Sequence, residues 1–451
     1  MTDNSYTRPH HYTADTVIGK SIKPKITDRE KALLLTKKAI WLYFWLIIFE
    51  GALRKWFLPF LASPLLIVRD PIALWIIYSS IKNNVFKING MTSAVWFLGV
   101  VAVLLAIPFG HGSVGVALFG GRILFLHFPL IFITANLFNK ADVIEIGKAT
   151  LWTSIIMTMI IVLQFYSPQS AWINKGIGGE EVEGFSGAMG FSRPPGTFSF
   201  TNGLAAYYGL LAAFVFYFWL DNRASVKKSL LIIATVCLII AIPMSISRTL
   251  FFSVLLSGAF TVGIAVRKPQ MLVRIAIAVV GIIILLLVVG NLSFFQTGVA
   301  AFTDRFASAS DVQESGVAGT LIDRVLGGMV GALSGTSNIP FFGYGIGMGT
   351  NVGASLLTGK VSFLISEGEW GRVIGEMGIL LGLAFILIRV KLGITIALAS
   401  FKAIKRSNYL PWFLLSFSLL NLLQGQWAQP SALGFAVFAS GITMAALKEN
   451  R

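Results

Sequence analysis

Charge is scarce in this chain. Of its 451 residues, 12% are Asp, Glu, Lys or Arg and 55% are hydrophobic, whereas soluble proteins carry roughly a quarter charged residues. That deficit excludes an ordinary soluble fold. Cysteine is nearly missing: Cys237 stands alone in an apolar run, so neither an intrachain disulfide nor a thiolate metal cluster can form. The four histidines are His10, His11, His111 and His127. None stands with other ligands at metal-binding spacing, so no metal or cofactor is expected. The alternating ten-residue strands of a membrane barrel are absent as well.

What is present is a succession of apolar runs of about 18 or more residues, each long enough to cross a bilayer as a helix. The expected class is therefore an all-α polytopic membrane protein. Twelve spans are expected, over 38–56, 62–81, 92–110, 115–137, 147–166, 199–220, 228–245, 249–266, 272–292, 373–399, 409–424 and 430–447. Residues 1–37 form a polar N-terminal tail that is not a signal peptide. Residues 38–292 hold spans one to nine, 293–372 a long outer loop with short helices lying over the membrane domain, 373–447 the last three spans, and 448–451 a short tail.

The formal net charge is +16. Membrane proteins concentrate Lys and Arg in cytoplasmic loops, so this excess does not imply nucleic acid. With both termini cytoplasmic, only eleven of the 36 Lys and Arg fall outside: Arg54, Lys55, Arg69, Arg122, Lys175, Arg193, Arg248, Arg305, Arg324, Lys360 and Arg372. Several sit at or within the outer ends of spans, where an ionisable group needs a cavity or a partner. Arginine forks match phosphate oxygens, so an outward arginine-rich cavity suits a phosphate or diphosphate. Plain structural roles are open too. Glu50 and Arg54 stand at pairing distance on one helix, and Arg69–Asp70 before Pro71 can be a helix-end charge cluster.

Four segments carry more specific patterns. "GFSRPPGTFSFTNGLAAYYGLL" places Arg193 before two stiffening prolines, with Thr201 and Asn202 as capping residues of an apolar helix. "MSISRTLFF" holds Arg248 in a short outer turn. "FFGYGIGMGTNVG" is glycine-rich without dinucleotide spacing and reads as a turn that lets backbone approach a sugar or lipid. "ISEGEWGRVIGEMGILLGLAFIL" crowds Glu367, Glu369, Arg372 and Glu376 before an apolar run. A helix starting near Glu369 sets Glu369, Arg372 and Glu376 on one face, with Glu367 on the loop before it. Acids at a helix start complement its dipole. A carboxylate beside arginines can also act as a base.

In order and spacing these segments resemble the O-antigen ligase and O-antigen polymerase (Wzy-type) superfamily over some 250 residues, from about 190 onward. "RPPGTFSFTNGLAAYY", "SISRT", "IPFFGYGIGMG" and "GEMGILLGLAFIL" carry the likeness. "EGALRKW" and "RDP", from Glu50 to Pro71, resemble a segment of exopolysaccharide-associated members. One departure is specific. Ligases of that family carry a histidine about nine residues before the glutamate matched by Glu376, and here Glu367 holds that place, which favours a polymerase.

The resemblance implies a GT-C-like, metal-independent, inverting glycosyltransferase on the outer face of a bacterial plasma membrane. Its donor is a glycan on undecaprenyl diphosphate, its acceptor another glycan, and other polysaccharide assembly proteins are its candidate partners. Glu367, Arg193 and Arg248 are the expected catalytic residues. Arg372, Glu369, Glu376, Arg54, Arg69, Arg122, Arg305 and Arg324 are the expected substrate contacts. The alternatives are ligase-type transfer to another acceptor and a lipid-linked oligosaccharide flippase or other transporter, which also needs cavity charges.

Overall fold

The structure is a computed structural model that describes residues 27–181, 183–221, 226–267, 269–310, 331–332, 339–360 and 363–448. Among these residues every regular element is helical, apart from one isolated antiparallel bridge between Ala188 and Phe191. The main helices are α1 (Asp28–Ala52), α2 (Arg69–Lys82), α3 (Gly90–Ala106), α4 (Val114–Arg122), α5 (Phe128–Leu137), α6 (Lys140–Tyr166) and α7 (Thr201–Leu220). There follow α8 (Lys228–Met244), α9 (Arg248–Arg267), α10 (Leu272–Gly290), α11 (Ser293–Ser310), α12 (Asn351–Thr358), α13 (Glu369–Lys405), α14 (Leu410–Gln424) and α15 (Pro430–Ala445).

Local sequence explains where several of these begin. Thr27 and Glu30 form a reciprocal capping box at α1, as Asn139 and Asp142 do at α6, each satisfying two otherwise orphaned backbone N–H groups. Pro430 stands at the start of α15, where its missing N–H costs nothing. Thr201 and Asn202 do not cap α7 as the sequence led one to expect; both lie inside its first turn, and Phe200 takes the cap position without a side-chain bond.

Among the described residues six helical stretches are long and apolar enough to cross a membrane: Asp28–Phe57, Pro59–Lys82, Val114–Leu137, Lys140–Tyr166, Thr201–Leu220 and Glu369–Lys405. Gly90–Ala106, Lys228–Met244, Arg248–Ile264, Leu410–Gln424 and Pro430–Ala445 are shorter apolar helices. On α6, Trp152, Ile156, Met159 and Leu163 form an outward stripe, each more than half exposed. Hydrocarbon tolerates such a stripe where water does not, and the chain is membrane-embedded. In contrast α7 is buried almost all round. Its small residues let neighbours approach closely; a Cβ on Gly209 would stand 3.0 Å from the Phe417 ring.

Contacts at the helix ends define two ends of the bundle. At one, Lys37 of α1 pairs with Asp142 of α6 at 2.7 Å, Lys448 donates to the Asn136 carbonyl at 2.8 Å, and Asn408 to the Ala446 carbonyl at 2.8 Å. At the other, Thr197 donates to the Ile48 carbonyl at 2.6 Å, Lys55 to the Gly196 carbonyl at 2.7 Å, and the Trp427 N–H to Glu369 at 3.0 Å. The first described helix thus begins, and the last ends, at the same end of the bundle.

Three departures from regular helix shape that second end. Leu53–Phe57 and Ile123–His127 are π-helical and carry Arg54, Lys55 and His127; such widened turns are frequent at functional sites. The expected span 62–81 lies within the stretch Pro59–Lys82, whose first part is irregular: a single α-turn at Ala62–Leu65 and turn residues at 66–68 precede α2, which begins at Arg69. The third departure is α13, which is two helices. Gly378 interrupts it at φ 75°, ψ 171°, a conformation open essentially to glycine alone. A Cβ on Gly382 would stand 2.8 Å from the Ile374 Cα, so the chain doubles back there. Residues 369–377 form a half-helix lying against the long helix that follows. The apolar span expected at 373–399 therefore starts beyond the break.

Candidate functional site

The half-helix organises the second end. Its Glu369, Arg372 and Glu376 fall on one face, as the spacing predicts. Arg372 donates Nε and Nη2 to Glu369 at 3.0 and 2.9 Å, and Nη1 to Glu376. Arg389, on the long helix, donates Nη1 to Glu369 at 2.6 Å and Nε to the Leu422 carbonyl at 2.8 Å, with its guanidinium 4.1 Å from the centre of the Trp427 ring. All four charged groups are buried. Breaking such a set by removing one partner costs about 3–5 kcal/mol, because the others stay charged and buried.

The glycine-rich segment fits over the break. The N–H groups of Tyr344 and Gly345 donate to the Gly375 and Glu376 carbonyls at 2.7 and 3.0 Å, and the Gly349 N–H donates to the Glu376 carboxylate at 2.8 Å. Gly343 and Gly345 have positive φ, and a Cβ on Gly349 would stand 2.6 Å from the Arg372 Cγ. The close approach expected of this segment is thus made to the protein's own backbone. It supplies acceptors' partners that the reversal at Gly378 would otherwise leave unsatisfied.

A small cleft of about 10 Å³, partly open, lies at the start of the half-helix. Ser366, Glu367, Gln426, Gln429, Asn351 and Phe363 line it, with Glu369 and Arg372 in its wall. Glu367 is exposed at the rim, and its backbone carbonyl accepts from Gln426 Nε2 at 2.8 Å. Asn202 donates to the side-chain oxygens of Gln426 and Gln429 at 2.9 and 3.3 Å, which joins α7 to the cleft.

Three expected arginines lie on segments that meet. The Arg193 N–H donates to the Phe185 carbonyl at 2.9 Å, closing a hairpin that contains the Ala188–Phe191 bridge. Arg305 on α11 donates to the Gly187 carbonyl of that hairpin at 2.8 Å. A Cβ on Gly187 would stand 3.2 Å from Ile246, two residues before Arg248. The hairpin packs at the start of α7 through Phe185, whose ring centre is 6.0 Å from that of Phe200, two residues before Asn202.

Other expected contacts are committed elsewhere. Arg69 binds Glu50 at 3.0 Å and the Pro430 carbonyl at 2.7 Å, and Arg54 binds the Ala62 carbonyl at 2.8 Å and Ser199 at 3.3 Å. Arg122 donates to both oxygens of Asp70 at 2.9 and 3.0 Å. Asp70 also meets His127 Nε2 at 3.0 Å, and His127 Nδ1 meets the Tyr43 hydroxyl at 2.8 Å. With the proton on Nε2, both contacts of the ring are satisfied. Arg372 likewise turns all three nitrogens onto carboxylates, so it builds the wall and offers no free fork to a phosphate. Arg324 lies outside the described residues.

Arg389, Asp70, His127 and Tyr43 were missed as site-forming residues. A signal existed for two of them: an arginine in "FILIRVKLG" and a histidine in "FLHFPL" each interrupt an apolar run, where a buried partner is required. The glutamines of "QGQWAQP" gave none.

These features define the class: an all-helical, membrane-embedded protein with a small polar cleft and a network of buried ion pairs at one end. No family model, no curated protein and no solved structure matches the chain.

Proposed function

We propose that the chain is a metal-independent, inverting glycosyltransferase of the O-antigen polymerase or ligase type, with polymerisation favoured. It works at the outer face of a bacterial plasma membrane, crosses that membrane twelve times and keeps both termini cytoplasmic. The donor is a glycan on undecaprenyl diphosphate. An acceptor hydroxyl attacks the anomeric carbon, the bond to the diphosphate breaks, and lipid diphosphate leaves. The acceptor proton passes to Glu367.

What supports this reading is an exposed carboxylate in a cleft joined to the start of α7 through Asn202, with the arginine-bearing segments linked to the same start of α7 through Phe185 and Phe200. Arg193, Arg248 and Arg305 supply positive charge for the diphosphate, and Glu367 stands where a base is required. The ordered wall behind it, from Glu369 to Arg389, holds the cleft rigid, as catalytic geometry demands. The proposal is tested by incubating purified protein with undecaprenyl-diphosphate-linked repeat units and resolving the products by chain length.

A transporter is the second reading. The buried Tyr43–His127–Asp70–Arg122 chain favours it, since buried ionisable chains mark proton-coupled carriers. Flux of a lipid-linked glycan across proteoliposomes, driven by a pH gradient and without new glycosidic bonds, distinguishes it.

A further inference from the structure

The connector between α1 and α2 carries no charge. From Phe57 to Val68 it reads "FLPFLASPLLIV", with Ser63 as its one polar residue. Its apolar side chains face outward: Phe60 is 78% exposed, Phe57 64%, Ile67 44% and Leu61 37%. An exposed apolar run of this kind marks a membrane or protein contact. Its backbone is closed upon itself. Leu58 donates its N–H to the Leu53 carbonyl, Leu61 to Leu58, Ala62 to Pro59, Leu66 to Ser63, Ile67 to Pro64 and Val68 to Leu65. Pro59 and Pro64 have no N–H to satisfy, and the Ala62 carbonyl accepts from Arg54 Nε at 2.8 Å. Irregular backbone survives beside lipid only when its polar groups are met within the protein.

Helix lengths fix its depth. α1 and α2 run antiparallel: Thr36 meets Ser79 at 2.7 Å towards the first end, and Glu50 meets Arg69 at 3.0 Å towards the second. α2 holds 14 residues, about 20 Å of helix, against a hydrocarbon layer of about 30 Å. The remainder, roughly 10 Å, falls to the connector. α1 agrees, since from Lys38 to Phe57 a helix rises about 30 Å. Trp56 and Trp172 stand at the edge of the connector, with ring centres 5.5 Å apart, and tryptophans gather where hydrocarbon meets headgroups. On the outward side, Ile67 begins a stripe of exposed residues that Leu74, Trp75, Tyr78 and Ile81 continue down α2. The connector is thus continuous with a face that lipid already covers.

We infer that residues 57–68 form a hook sunk in the bilayer leaflet at the second end of the bundle, with phospholipid acyl chains covering Phe57, Phe60, Leu61 and Ile67. The hook completes the crossing that α2 is too short to make. The Arg54 bond to Ala62 ties it to the buried Glu50–Arg54–Arg69 set. Lipid over the hook keeps water from these ion pairs, and a low dielectric strengthens them. The inference holds whatever reaction the chain carries out.

The test is nitroxide labelling of the full chain, with Cys237 replaced by serine, in nanodiscs of phosphatidylethanolamine and phosphatidylglycerol. Labels go at Phe60→Cys and Ile67→Cys, with Ile156→Cys on α6 as the lipid reference and Lys31→Cys as the water reference. Both test sites are exposed, so the substitutions should leave the fold intact. Leu61→Cys replaces either site if its labelled protein does not fold. Oxygen concentrates in hydrocarbon, and a polar nickel chelate stays in water. At both sites the ratio of oxygen to chelate collisions should exceed that at Lys31 by about threefold or more, approaching that at Ile156. A smaller excess at either site overturns the inference, and the connector is then a loop standing in water.

Discussion

Glu369 and Arg389 stand twenty positions apart, on the two helices of α13, and their side chains meet at 2.6 Å. On a straight helix that spacing spans about 30 Å. The reversal at Gly378 closes the gap, and the ion pair ties the half-helix to the long helix beside it. The cleft wall exists because the chain turns there.

Glu369→Gln should therefore act on stability first. It weakens acceptance from Arg372, Arg389 and the Trp427 N–H together and leaves two buried guanidiniums with one carboxylate, at a cost of about 3–5 kcal/mol. Thermal unfolding in detergent should show a drop of several degrees. Arg389→Lys should not restore it, because a single ammonium cannot replace a fork held by Glu369 and the Leu422 carbonyl.

Gly378→Ala tests the reversal itself. Its φ of 75° is unfavourable for alanine, and a Cβ would collide with the Phe341 carbonyl. A penalty of about 1–3 kcal/mol is expected, seen as a lower midpoint of unfolding. An unchanged midpoint would contradict the hairpin geometry.

Arg193→Ala, Arg248→Ala and Arg305→Ala should each lower transfer while the protein still inserts. Loss of a charged contact in a dry site costs roughly 2–5 kcal/mol, about 30- to several-thousand-fold in rate. Lysine should recover only part of that. Full activity in all three alanine variants would remove the diphosphate assignment.

Much of the helical layout was legible because a membrane span is a long apolar run: among the described residues six helical stretches are long and apolar enough to cross a membrane, and five shorter apolar helices fall on other expected spans. The face shared by Glu369, Arg372 and Glu376 was legible because it depends on spacing within one short helix. The reversal was not. "GEMGILLG" reads as continuous apolar helix, and only the backbone of "FFGYGIG", packed on it from some thirty residues upstream, shows that Gly378 turns. The partners of Arg69, Arg122 and Arg372 were hidden for the same reason. Their acids are visible in the sequence, but which charge each arginine meets is decided by how separate helices pack.

Orientation is checked by thiol labelling of intact cells, with Cys237 replaced by serine. A cysteine at Asn351 should react with an impermeant reagent, and one at Lys402 should not. The reverse pattern would place the cleft in the cytoplasm.

The most direct measurement compares wild type, Glu367→Gln and Glu367→His in the transfer assay with purified lipid-linked repeat unit. Glu367 lies at the rim with its carboxylate exposed, so its glutamine variant should unfold within about a degree of wild type, as surface changes do. Its rate should fall about 100-fold or more. Histidine should restore part of the rate with the optimum moved upward, since an imidazole is a base only above roughly pH 6.5. Wild-type transfer by folded Glu367→Gln protein would contradict the account.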